Sequence, residues 1–370
     1  MHGHSQRIDR LTPLADVVAE IARSVPPVAQ AGCAIGNALG RVLAQDVVAP
    51  AQSPARPLAL RDGWAVRAED TTDAGSYAPA LLATLPTRMD AGDALPETAD
   101  AVAPLDSIKL RQGAAEALTV LAPGDGVLLA GGDTEKDELL LPAGRPLRRI
   151  DIATLRALDI AEVMVREPRV FVVTVRADAM LDAIADFLAE TIAAEGATIA
   201  GWSCTADGLA QAISAAADAI FVIGGTGTGR NDDSVERLAS LGRVAVHGIA
   251  VAPGETAAFG FAGRIPVLLV PGRLDAAVAT WLTLGRHLIA CVSGRKNDEA
   301  GRSAVLTRKA SSNLGLSEIV LVDRKGDAVE PLASGYLSLT ALARAEGWIV
   351  VPADSEGYPA GARIQVKPLP

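Results

Sequence analysis

The chain has 370 residues, 49% of them hydrophobic but only 3% aromatic, and a formal net charge of −10. That length and apolar content predict two to four domains with cores built from Ala, Val, Leu and Ile. The negative charge argues against a general nucleic-acid binder, which carries a basic footprint. Cys33, Cys204 and Cys291 are far apart and form no CxxC, which argues against a disulfide framework or a zinc site and fits reduced cytosolic thiols.

The N-terminal MHGHSQRIDR is polar, lacks the apolar stretch of a signal peptide, and reads as a disordered tail containing His2 and His4. No run of about 18 apolar residues occurs, so no membrane span is predicted. Thr12-Pro13 predicts a helix start, a capping hydroxyl followed by proline in the first turn. Leu14, Val17, Val18 and Ile21 follow at helical spacing, and Pro26-Pro27 ends the helix. A second helix is predicted over Asn37–Ala44. From Val48 to about Asp137, Pro, Gly and short β-branched runs predict an irregular β domain. Helical spacing returns at Ile150–Leu158, so the β segment reads as an insertion in a helical domain.

From Arg169 strands and helices alternate. VFVVTV, ATIAGW, AIFVI, RVAVHG and IPVLLV read as strands. Asp178–Glu195, Thr205–Ala217, Ser234–Leu241 and Leu274–Ile289 read as helices. Strands apolar throughout belong to a sheet covered on both faces, hence a doubly wound α/β domain. RKNDEAGR, after Ser293-Gly294, reads as a linker, and SEIVLVD, EGWIVVP and ARIQVKP as strands of a small β domain. The division is therefore a helical domain at 1–47 and 138–168, an inserted β domain at 48–137, an α/β domain at 169–294 and a C-terminal β domain at 295–370.

The sharpest candidate site is Gly224-Gly225-Thr226-Gly227-Thr228-Gly229, with Arg230 and Asp232 behind it. It follows a buried strand and precedes a helix. Glycines let backbone N–H groups approach an anion, and the helix N-terminus adds a favourable dipole. Asp233 and Glu236 have capping-box spacing for that helix. No lysine occurs between Lys136 and Lys296, which excludes a Walker P-loop, and the glycine spacing is wrong for GxGxxG. The plain alternative is a flexible connection. Pro271-Gly272-Arg273 ends another strand on the same sheet edge and can line the same cleft. Arg61-Asp62-Gly63 and Gly131-Gly132-Asp133 read, on spacing alone, as ordinary turns. His247 and His287 lack partners in sequence and read as core or surface histidines.

In order along the chain these pieces resemble the MoeA family of molybdopterin molybdenumtransferases, related to the gephyrin E domain. DGWAVRAEDT resembles the family's MDGYAVR, and GGDTEKDELLLPAGRPL resembles its acidic turn and LPAG segment. IGGTGTGRNDD resembles its GGVSVGEAD loop and, more closely, the GGTG loop of MogA and MoaB proteins. HGIAVAPGETAAFG and LVPGRLDAAVA resemble its KPGKPFAFG and LPGNPVSA segments. SGYLSLTALARAEGWIVVPADSEGYPAGARIQV resembles its C-terminal β domain. The resemblance implies four domains, the third MoaB/Mog-like and the last a small β-barrel. It implies a cytoplasmic homodimer whose cleft combines the glycine-loop domain of one subunit with the β domain of the other. A MogA-like adenylyltransferase and a client molybdoenzyme are the implied further partners, with neither nucleic acid nor membrane.

The implied reaction takes adenylylated molybdopterin and molybdate, with Mg²⁺, to molybdenum cofactor and AMP. Asp62, Asp133 and Asp232 stand at the family's functional acids, with Asp62 and Asp232 as magnesium ligands. Asp178 stands at the glutamate of its TGDE. The departures cluster. Leu58-Ala59-Leu60-Arg61 replaces Asn-Ser-Ala-Met, Arg176-Ala177 replaces Gly-Asp, and Ala252 and Glu255 replace two lysines. Arg273-Leu274 replaces Asn-Pro. Arg61, Arg230 and Arg273 are the expected substitutes for the lost positive charge, since arginine suits oxyanions. The kept acids favour an enzyme, and the lost lysines favour a protein that binds molybdopterin or finished cofactor and delivers it. An unrelated hydrolase or dehydrogenase is disfavoured by the lack of a nucleophile elbow or Rossmann fingerprint.

Overall fold

The computed structural model describes residues 6–205, 207–296 and 301–370. His2, His4 and the middle of the expected 295–302 linker lie outside the described residues, as does Ala206 within the expected 205–217 helix. The chain divides into two units, a smaller one of Asp46–Pro142 with Ala157–Asp159 and a larger one holding the rest.

Short strands make the smaller unit. Gly63–Val66 pairs antiparallel with both Thr87–Met89 and Ala101–Pro104, and Ile108–Arg111 pairs with Ala114–Ala117. Its cores are built from small residues, Ala101, Ala103, Ala115 and Ala117 around Val66 in one, Ala59 and Ala65 around Met89 and Val102 in the other. Small side chains let short strands pack closely but bury little area each, at roughly 25 cal/mol per Å².

Within the larger unit, a six-stranded sheet carries the candidate site. Its elements are β1 (Arg169–Thr174), α1 (Ala179–Ala194), β2 (Thr198–Ser203), α2 (Gly208–Ser214), β3 (Ala219–Ile223), α3 (Ser234–Leu241), β4 (Arg243–His247), β5 (Ala258–Ala262) and β6 (Ile265–Val270). The order is β2-β1-β3-β6-β5-β4, parallel through β6, with β5 antiparallel to both neighbours. Alternation explains why the strands are apolar throughout. Val170, Val172, Phe221 and Ile223 join the core under α1, while Phe171, Val173, Ile220 and Val222 join the core under α2 and α3. Helix α1 presents Leu181, Ile184, Ala185, Leu188 and Ile192 at helical spacing to the first of these cores.

The helix expected from Leu274 runs on to Ser293, with a π-helical turn at Trp281–Gly285. Residues 274–293 are long and apolar enough to cross a membrane, contrary to the expectation that no such stretch exists. Of its most apolar window, 78% is buried inside the fold, as in a core helix.

Five strands close a small barrel: β7 (Arg302–Leu306), β8 (Ser317–Lys325), β9 (Ala328–Ser334), β10 (Gly347–Val351) and β11 (Arg363–Pro368). The circuit β8-β9-β7-β11-β10 returns to β8, which removes free edges along it. The expected strands β8, β10 and β11 are present, and β7 and β9, which carry no long apolar run, complete the closure.

Two N-terminal expectations need correction. Thr12-Pro13 does not cap the first helix; it forms a short parallel strand against Ile249-Ala250, and the helix Leu14–Ser24 has no side-chain cap. No helix covers Asn37–Ala44. A 3-10 turn at Ile35–Asn37 is broken by Gly40 at φ +77°, and Val42-Leu43 becomes a strand against Glu162–Arg166. Within Asn37–Ala44, the Gly40 N–H bonds Leu147 and the Leu43 N–H bonds Arg145, distant partners that local periodicity does not encode. The segments expected to form a helical domain thus hold Leu14–Ser24, Arg149–Ala157 and a three-stranded sheet.

Candidate functional site

Parallel strands β1 and β3 lie side by side, and the chain leaves them toward opposite edges of the sheet. Such a switch point opens a crevice beyond the strand ends, where ligands of open α/β sheets bind. A cavity of about 460 Å³ lies there, floored by Val173, Val175 and Val222 and walled by Arg176, Arg230, Asn231, Asp233 and Arg237. Arg237 is committed to Asp233 at 2.7 Å, a hydrogen bond that raises its pKa. Arg176 and Arg230 leave the crevice cationic in a chain of charge −10.

The glycine loop rises directly from β3. Gly224 and Gly225 adopt φ +92° and +68°, and a Cβ on Gly225 would strike Ser234. Gly272 packs its backbone against Gly224, so the Pro271-Gly272 turn borders the loop. The Asp232 carboxylate accepts the Gly229 N–H at 3.0 Å and lies close over Gly227. Among the described residues, the N–H groups of Gly225, Thr226, Gly227 and Thr228 have no acceptor, while Thr228, Gly229 and Arg230 are exposed. A run of unmatched amides on a glycine turn is the donor set for an anion.

Neighbours that the sequence did not single out complete the loop. Gln6 donates to the Gly225 and Gly227 carbonyls at 2.6 and 2.7 Å. His247, read as a core or surface residue, bonds the Thr226 carbonyl through Nε2 at 3.1 Å, and the Thr226 hydroxyl meets that of Thr256 at 3.0 Å. Only the glycine pattern was locally visible; Gln6 carries no signal of its own, and the polar tail reading is corrected from Gln6 onward. Nor does a capping box form, because Asp233 occupies the α3 cap position without a side-chain cap bond.

The other candidates divide between the units. Asp178 caps α1, accepting the Met180 and Leu181 N–H groups at 2.9 and 3.3 Å, with Arg176 3.9 Å away. Arg273 does not offer a free charge. It donates to the buried Asp275 at 3.1 and 2.5 Å and lies over the Tyr336 ring at 5.4 Å. The Asp275 hydrogen bond raises the Arg273 pKa, with a further contribution from nearby Glu255. Local acids thus neutralise one of the three arginines expected to replace the lost lysines.

In the smaller unit Asp62 is exposed and accepts the Ala91 N–H at 2.9 Å. Arg61 packs over Gly126, and the exposed Asp133 is set by its own N–H to Ser53 at 2.9 Å. Among the described residues, no three His, Cys, Asp or Glu side chains gather as a metal site.

Three family models cover this chain in order. MoeA N-terminal region (domain I and II) matches residues 12–158, the probable molybdopterin binding domain matches 169–290, and MoeA C-terminal region (domain IV) matches 303–369. The chain belongs to the MoeA family of molybdenum cofactor biosynthesis. A putative molybdopterin biosynthesis protein of Methanocaldococcus jannaschii is 27% identical, over 90% of each chain. Molybdopterin molybdenumtransferase 2 of Mycobacterium tuberculosis is 26% identical, over 95% of this chain and 97% of its own. The crystal structure of a molybdopterin biosynthesis MoeA protein from Pyrococcus horikoshii superposes with a TM-score of 0.76 at 25% identity, covering 98% of this MoeA family member and all of that chain.

Proposed function

We propose that this chain is a molybdopterin molybdenumtransferase that converts adenylylated molybdopterin and molybdate to molybdenum cofactor and AMP. One observation carries the reading: unmatched amides of the glycine loop beside a switch-point crevice lined by Arg176 and Arg230. Backbone amides suit a terminal phosphate, and the arginines suit the second phosphoryl group of an adenylylated pterin. Asp232 stands at the rim of the loop, its carboxylate on the Gly229 N–H. Family membership supports a homodimer that takes its substrate from a MogA-like adenylyltransferase, acts in the cytoplasm, and hands cofactor to a client molybdoenzyme. The purified full-length chain, given adenylylated molybdopterin, molybdate and Mg²⁺, is expected to release AMP and form cofactor together. Release of neither overturns the transferase reading.

A second reading has its own support. Arg273 is neutralised by Asp275 and faced by Glu255, which stands, like Ala252, where the family resemblance implies a lysine. That favours a protein that binds molybdopterin or finished cofactor for delivery. Tight molybdopterin binding without AMP release is its expected signature.

A further inference from the structure

Gln6 stands at the beginning of the described chain, yet it is only 6% exposed. Its Nε2 donates to the Gly225 and Gly227 carbonyls at 2.6 and 2.7 Å, and its Oε1 accepts the Val235 N–H at 3.1 Å. A primary amide has two N–H donors and one carbonyl acceptor, and here both kinds are used at once. Asparagine offers the same groups on a stem one methylene shorter.

The bonds have directional consequences. Two loop carbonyls are turned to Gln6 and satisfied there, so they do not oppose an anion at the loop. The Val235 N–H in the first turn of α3, the usual donor to an anion at a helix start, is already taken. Ser234 closes the same corner, its hydroxyl on Gly224 at 2.8 Å and its N–H on the Gly225 carbonyl at 3.1 Å. The Gly225 to Thr228 amides and the exposed Arg230 remain available.

We propose that Gln6 is a positioning residue that holds the glycine loop in its anion-binding form and directs the ligand's phosphate to the loop amides instead of the α3 N-terminus. This rests on the reading of the loop as the seat of the molybdopterin phosphate.

Two variants of the full chain test it. Gln6→Met keeps the length and removes all three bonds; Gln6→Glu keeps the acceptor but sets a carboxylate against two carbonyls. The readouts are amide exchange protection of residues 224–235 without ligand and molybdopterin affinity by calorimetry. Gln6→Met is expected to lose about tenfold in both while still unfolding cooperatively. Gln6→Glu is expected to lose protection at about pH 8 and regain part of it at about pH 4, below the ordinary glutamate value, where a protonated carboxyl again donates to one carbonyl. Unchanged protection in both variants overturns the proposal, as does lost protection with unchanged affinity. If Gln6→Met fails to fold, a pH-independent protection pattern in Gln6→Glu overturns it and the pH-dependent one supports it. A wild-type chain that binds no molybdopterin, while the variants still lose protection, supports the loop-holding role and overturns the molybdopterin reading.

Discussion

Asp232 performs two separable tasks at one position. Its carboxylate shapes the loop through the Gly229 N–H and places negative charge at the rim of the proposed anion seat. Asp232→Asn keeps an oxygen for that N–H and removes the charge. Unfolding free energy is expected to stay within about 0.5 kcal/mol in urea titrations. AMP release is expected to fall about tenfold or more in the coupled assay. Asp151 is the contrasting residue, buried and structural. It accepts Arg145 at 2.6 Å, the Arg148 backbone N–H at 2.8 Å, and the Arg148 guanidinium at 3.0 and 3.1 Å. Burial pushes its carboxyl up, but the Arg148 hydrogen bonds and the charges of Arg145 and Arg148 outweigh it, so its pKa lies below the ordinary aspartate value. A depressed folded pKa stabilises fully above the unfolded value, near 3.9, and is lost as pH falls through the folded value. Asp151→Asn is expected to cost about 2 kcal/mol at pH 7, with the gap to wild type closing in acid. A gap that persists at pH 2 contradicts the ionic account.

At the scale of elements, the 274–293 helix shows why an apolar run is read better by its surroundings than by its length. The fully buried Trp281 packs against Phe221 with ring planes tilted by 50°, centroids 6.1 Å apart, and a π turn accommodates it over Gly285. A Cβ on Gly285 would enter the indole ring. Gly285→Ala is expected to destabilise by about 2 kcal/mol in urea unfolding, although alanine is the better helix former. A stabilised variant would mean that the π turn relaxes to ordinary α-helix at no cost. Helix α3 teaches the same lesson about caps. Asp233 has cap spacing but turns to Arg237, and the first-turn N–H of Val235 is met by Gln6 from 229 residues away in sequence.

For the whole molecule, the division of acids between units matters most. Asp62 and Asp133 belong to the Asp46–Pro142 unit, and Asp178 and Asp232 to the larger one. The proposed homodimer is expected to sediment at twice the chain mass at micromolar concentration. A chain that stays monomeric there, yet forms cofactor, would show that the two-subunit cleft is not needed. Barrel closure through β8 and β10 also belongs to this scale, since β8 pairs with both ends of a circuit spanning residues 302–368.

What the sequence determined by itself was whatever depends on local pattern. The apolar runs of β1, β3 and β6, the helical spacing of α1, and the glycine loop after Ile223 are legible because burial on both faces and backbone freedom are properties of neighbouring residues. The collinear order of six weak motifs made the family legible as well. Only the tertiary structure decided which partner each group meets. It brought Arg176 to the crevice, turned Asn37–Ala44 from helix to turn and strand, and carried Gln6 from an apparent tail into the loop. The physical reason is common to all three. A hydrogen bond or ion pair is won by whichever group the fold brings within about 3 Å, and that proximity comes from chain closure over tens to hundreds of residues.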